Sequence, residues 1–145
     1  MTHRITRYTS EEEVAAGLRA DVAAGLTADP KWLPPKWFYD ARGSVLFEQI
    51  TTLPEYYPTR REWEILEARA GEIAVATRAD TLVELGSGSS RKTRALLDAL
   101  RRNGTLRGYV AVDVSESALA GAAQALAPDY PDLELQTVVA DFEHV

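Results

Sequence analysis

The chain contains no cysteine, which excludes disulfides, thiolate-held metals and a thiol nucleophile. Histidine is almost as scarce: His3 and His144 are the two present, too few for an imidazole-built metal cluster. Basic residues are outnumbered, 16 against 22 acidic, for a net charge of −6. That balance argues against a nucleic-acid partner, which needs a basic face to meet phosphates. The densest basic pairs, Arg60-Arg61 and Arg101-Arg102, read as solvated helix surface. No apolar run reaches membrane length, and the opening MTHRITRYTSEEEVAAGL lacks the apolar core of a secretory leader. The expectation is a cytoplasmic protein that works on small molecules, with a monomer as the default. With 145 residues, 46% of them hydrophobic, the chain can bury one ordinary core.

The pattern changes character near residue 80. Before it, helices dominate. Ser10 with Glu13 forms a capping box, and Val14, Leu18 and Val22 recur every four residues, which predicts an amphipathic helix. Pro30, Pro34 and Pro35 mark an irregular connection. A short helix is predicted from about Ser44, with Leu46, Phe47 and Ile50 on its apolar side. Pro54 and Pro58 bracket a predicted loop carrying Tyr56 and Tyr57. Thr59 with Glu62 repeats the capping pattern ahead of a helix with Trp63, Leu66, Ala70 and Ile73 at helical spacing. After residue 80, strands and helices alternate. TLVEL (81–85) reads as a buried strand, 91–102 as a helix stopped at Asn103-Gly104, and GYVAV (108–112) as a second strand. Ser115 caps a third helix that ends before Pro128, and LELQTVV (133–139) reads as a third strand. This is an α/β chain: a helical N-terminal segment, 1–79, followed at 80–145 by a βαβαβ half-unit with a parallel sheet and right-handed crossovers. A doubly wound fold normally has a second half. The expectation is therefore a fragment, or a sheet completed from elsewhere, with little catalytic activity on its own.

The turn after the first of these strands, ELGSGSSRKT, invites three templates. A phosphate-binding P-loop needs a second glycine where Arg91 stands. The dinucleotide fingerprint also wants a glycine at Arg91, though Gly86 and Gly88 fit it. The third template, E-x-G-x-G at Glu84–Gly88, resembles the first motif of Rossmann-like methyltransferases that use S-adenosylmethionine (SAM). That cofactor has no pyrophosphate to wrap, and its sulfonium and ammonium tolerate nearby acids. Asp113 closes the second strand, where a carboxylate can accept from both ribose hydroxyls of SAM or of NAD. Asp141-Phe142 follows the third strand, where a carboxylate can meet an adenine amine and a ring can pack on the base. Each residue also has a plainer reading. Asp113 fits a helix cap beside Ser115, Phe142 fits ordinary core, and Lys92 fits a solvated helix position or a point charge on the SAM carboxylate. An NAD-dependent oxidoreductase using Gly86, Gly88 and Asp113 stays open on these residues.

The stretch KWFYDARGSVLFEQITTLPEYYPTRREWEIL (36–66) narrows the choice. Phe38-Tyr39-Asp40, Gly43-Ser44, Leu46-Phe47-Glu48, Leu53-Pro54-Glu55-Tyr56-Tyr57 and Thr59-Arg60, followed in order by ELGSGSSRKT and VDVS, resemble the histidine-specific Nα-methyltransferases that begin ergothioneine biosynthesis. Trp37 departs from the pattern only by exchanging one aromatic for another. The resemblance implies SAM as cofactor and L-histidine as substrate, with stepwise trimethylation of the α-amine to hercynine and no metal. It implies cofactor contacts at Gly86, Ser87, Lys92, Asp113, Asp141 and Phe142. It implies Tyr56 on the substrate carboxylate and Tyr39 near the amine, orienting successive methylation states and guiding proton loss. The α-amine of another aromatic amino acid, such as tryptophan, is the neighbouring alternative, because groups that read the imidazole lie beyond Val145 in the family.

Overall fold

A computed structural model describes residues 2–141 of the chain. Its elements run β1 (Thr2–Arg7), α1 (Glu11–Thr27), a short 3-10 turn (Pro35–Phe38), α2 (Ala41–Ile50), α3 (Tyr57–Thr77), β2 (Thr81–Leu85), α4 (Thr93–Arg102), β3 (Gly108–Asp113), α5 (Glu116–Leu126) and β4 (Glu134–Val139). The strands form one parallel sheet in the order β1-β4-β3-β2. The α/β half-unit thus stands as expected, each crossover carrying one helix.

The core lies between the sheet and α4 and α5, where Leu97, Tyr109, Leu119, Leu126, Leu133 and Leu135 meet. A second cluster, Ala70, Ala74, Ala99 and Leu100, packs α3 on α4. Small residues there let the two helices approach closely. The expected caps at Ser10–Glu13 and at Ser115 are both present.

Four features differ from the sequence reading. First, the N-terminal segment is not wholly helical. Residues 2–7 form β1, which pairs with β4 from Thr2↔Glu134 to Arg7↔Val139. THRITR carries a single aliphatic residue, and an edge strand held by backbone pairing leaves no apolar alternation to read. Second, β2 is not buried on both faces: Val83 is 59% and Leu85 62% exposed. Leu82 and Glu84 face α4, whereas β2 is the last strand in the order and its other face is bare of described residues. Third, α3 begins at Tyr57 rather than after a Thr59 cap. Tyr56 precedes it with no side-chain cap, and Pro58 sits in the first turn, where its missing N–H has no partner to lose. Fourth, α2 begins at Ala41 with Asp40 as its cap, and Val14, Leu18, Leu46 and Ile50 remain exposed rather than facing inward. No described helix is long and apolar enough to cross a membrane.

Candidate functional site at the carboxyl ends of the strands

β2 hands the chain to a glycine turn. Gly86 takes φ +70° and Gly88 +50°, left-handed conformations that glycine adopts without steric cost. A Cβ at either would meet no described atom within 4 Å, so the space above the turn is open. Four of the turn's N–H groups meet protein acceptors. Those of Gly86 and Ser87 donate to the Val112 carbonyl at 2.8 and 3.1 Å, and that of Ser90 to the Ser87 carbonyl at 2.9 Å. The Gly88 N–H donates to Asp113 Oδ2 at 2.8 Å, and the Ser115 N–H to Asp113 Oδ1 at 2.8 Å. Asp113 therefore joins the ends of β2 and β3 through a carboxylate that is almost buried, while each oxygen keeps a further lone pair. Ser87 Oγ is a buried hydroxyl with no partner among the described residues, a rare state for a polar atom.

Behind the turn lies a second polar layer. Tyr109 donates to Glu84 Oε2 at 2.6 Å, and Thr93 Oγ1 donates to the same oxygen at 2.5 Å. Burial, reinforced by the Glu84 carboxylate, pushes the Tyr109 phenol well above its ordinary range.

The N-terminal segment covers this edge. Asp40 Oδ1 accepts from the Gly43 N–H at 2.7 Å, and a Cβ on Gly43 would lie 1.7 Å from the Phe38 carbonyl oxygen. α2 therefore sits hard against the 3-10 turn, with Tyr39 at the junction. The Tyr39 ring meets Phe47 edge-on at 5.6 Å, and Phe47 meets Tyr56 at 5.9 Å and 83°. The two tyrosines singled out in the sequence are thus gathered around one phenylalanine, and neither phenol oxygen has a hydrogen-bond partner among the described residues. Ser44, Phe47 and Glu48 share one helical face. Ser44 Oγ lies 3.4 Å from Ser115 Oγ, and Glu48 Oε1 accepts from Ser89 Oγ at 2.9 Å. The aromatic trio consequently stands beside the glycine turn and the β3–α5 loop.

Two expected cofactor residues are engaged by the same segment. Lys92, which precedes α4, pairs with Glu62 of α3. Asp141 pairs with Lys36 Nζ at 2.8 Å, and that ammonium also lies 3.9 Å from Asp21 and 5.2 Å from the Trp37 ring centre. Phe142 lies outside the described residues. The contacts of Lys36, Ser44, Glu48 and Glu62 were not anticipated. Each pairs residues far apart in sequence, and only the position of Ser44 and Glu48 on the face of Phe47 hinted at a shared role. Concavities lined by Arg101, Arg107 and Tyr130, and by Thr2, Thr81 and Glu134, lie at the amino ends of the strands, away from this chemistry. Among the described residues, no group of three His, Asp or Glu side chains could hold a metal ion.

The edge is acidic. Glu48, Glu62, Asp113 and Asp141 surround it, and the two lysines there are each paired with one of these. A cationic ligand bearing hydroxyls would find acceptors there.

Comparison with known proteins agrees. The family model for histidine-specific, SAM-dependent methyltransferases matches residues 18–145. The chain is 55% identical over 143 residues to histidine N-alpha-methyltransferase of Mycolicibacterium smegmatis, covering 99% of this chain and 44% of that protein. It is 56% identical over 139 residues to the Mycobacterium tuberculosis protein of the same name, covering 96% and 43%. Ergothioneine biosynthesis protein 1 of Neurospora crassa is 43% identical over 91 residues, covering 62% and 10%. The chain spans less than half the length of the two mycobacterial proteins. With the parallel sheet, the glycine turn and the acidic edge in place, the chain belongs to the family of SAM-dependent, histidine-specific methyltransferases.

Proposed function

We propose that the full-length protein transfers methyl groups from SAM to the α-amine of L-histidine, yielding trimethylhistidine at the start of ergothioneine biosynthesis in the cytoplasm. Residues 80–145 form the first part of the cofactor domain, and residues 1–79 supply one side of the substrate site. The observation that carries this reading is the meeting of the Tyr39–Phe47–Tyr56 trio with an acidic edge at the strand ends.

The residues present suit the cofactor. The open space over Gly86 and Gly88 admits the methionine portion beside the backbone, and the unused Ser87 hydroxyl can serve its polar groups. The spare lone pairs of Asp113 accept from the ribose diol, and Asp141 and Phe142 take the adenine. Lys92 reaches the cofactor carboxylate after exchanging its Glu62 partner. When bound, SAM supplies a sulfonium-activated methyl carbon. The protein's task is then alignment. The Tyr56 phenol donates to the substrate carboxylate. The Tyr39 hydroxyl accepts an amine N–H, directly or through water, and so aims the nitrogen lone pair while a proton leaves toward solvent.

Incubating the full-length protein with SAM and either L-histidine or L-tryptophan tests the reading by mass spectrometry. Histidine should gain three methyl groups in succession, with tryptophan unchanged. Methylated tryptophan with untouched histidine would overturn the acceptor, and no methyl transfer to either would overturn the activity.

A further inference from the structure

Tyr109 is the largest side chain fully removed from solvent, yet its phenol ends in a polar cluster. Its one proton goes to Glu84 Oε2, at 2.6 Å. The Ser90 hydroxyl, 2.8 Å from the phenol oxygen, must therefore be the donor in their contact. The order of donation is Ser90 to Tyr109 to Glu84, and Thr93 adds a second donor to the same carboxylate oxygen. Ser90 and Thr93 are both buried. The cluster thus ties together the end of β2, the start of β3, the exit of the glycine turn and the first residue of α4.

Ser90 is unusual in a second way. It holds φ +52°, a conformation that glycine adopts freely and serine does not. The placement is accounted for by the hydroxyl, which reaches down to Tyr109 where glycine would reach nothing.

We infer that Tyr109 is a positioning residue for the cofactor turn: acting through the Ser90 hydroxyl and Glu84, it fixes the path of residues 86–90 from beneath. It touches no ligand. The inference rests on the reading that this turn holds SAM.

Two variants of the full-length protein test it, with S-adenosylhomocysteine as the probe in calorimetry and thermal unfolding alongside. Ser90→Gly removes the hydroxyl and relieves the left-handed backbone. A purely structural role predicts equal or higher stability with unchanged affinity. The positioning role predicts equal or higher stability with affinity weakened about five- to tenfold, the range that one hydrogen bond carries. Tyr109→Phe should weaken binding at least as much, and the double variant should bind no more weakly than Tyr109→Phe alone, because both changes cut one chain of contacts. Ser90→Gly binding within about twofold of wild type would overturn the inference, as would fully additive losses in the double variant. If wild type itself failed to bind the probe, the functional reading would fall and the inference with it.

Discussion

Asp113→Asn is the most informative single change. In the wild type, each carboxylate oxygen accepts one backbone N–H at 2.8 Å, from Gly88 and from Ser115. An amide offers one oxygen and one NH2 group, so in either orientation the NH2 opposes an N–H. One charge-assisted bond is lost and a donor is left facing a donor, at a cost of about 1.5–3 kcal/mol of stability. A ribose hydroxyl that donates to this group also loses its charged acceptor. Binding of S-adenosylhomocysteine should weaken by about ten- to a hundredfold on the same scale. Calorimetry gives the affinity and the urea midpoint gives the stability, both on the full-length protein. Affinity within about twofold of wild type would refute the ribose contact, and an unmoved urea midpoint would refute the role of Asp113 in joining the two loops.

Tyr56→Phe should raise KM for histidine about five- to tenfold, the worth of one hydrogen bond to a carboxylate, while leaving S-adenosylhomocysteine affinity unchanged; a shift confined to the cofactor would count against its placement. Gly43→Ala puts a methyl 1.7 Å from the Phe38 carbonyl, so α2 must move. Steady-state kinetics should show the histidine KM rising more than the SAM KM, with about 1–3 kcal/mol of stability lost. The Tyr109 and Tyr130 phenols are both raised above 10.0, first by burial and then by Glu84 and Asp98 respectively. Their neutral forms are favoured in the folded chain. The stability they contribute is complete below about pH 10 and is lost as the pH rises beyond it, because unfolded phenols then ionise and folded ones do not. Urea midpoints measured across that range should fall above about pH 10, and less steeply in Tyr109→Phe.

The half-unit was legible because β3 has the apolar run of a strand covered on both faces, β4 is rich in β-branched residues, and the turns between carry glycine or a capping serine. The same run in β2 misled, since apolar residues on both faces promise cover that the described residues supply on one side only. β1 was invisible for the opposite reason: its pairing is carried by backbone, and its side chains are mostly polar. At the site, Asp113 and Asp141 were singled out by their positions at strand ends, and Tyr39 and Tyr56 by a family resemblance; the structure brings Asp113 to the glycine turn and gathers the two tyrosines around Phe47. Their neighbours were not singled out. Lys36 meets Asp141 across 105 positions and Glu48 meets Ser89 across 41, and such pairings leave no local pattern. The pairing of Lys92 with Glu62, thirty residues upstream, is of the same kind.

The central claim is that this acidic edge receives an adenosine bearing a cationic sulfur rather than a dinucleotide. Titrating the full-length protein with S-adenosylhomocysteine and, separately, with NADH tests it most directly. The account predicts saturable, one-site binding of the first and none of the second. Tight NADH binding with no response to S-adenosylhomocysteine would contradict it.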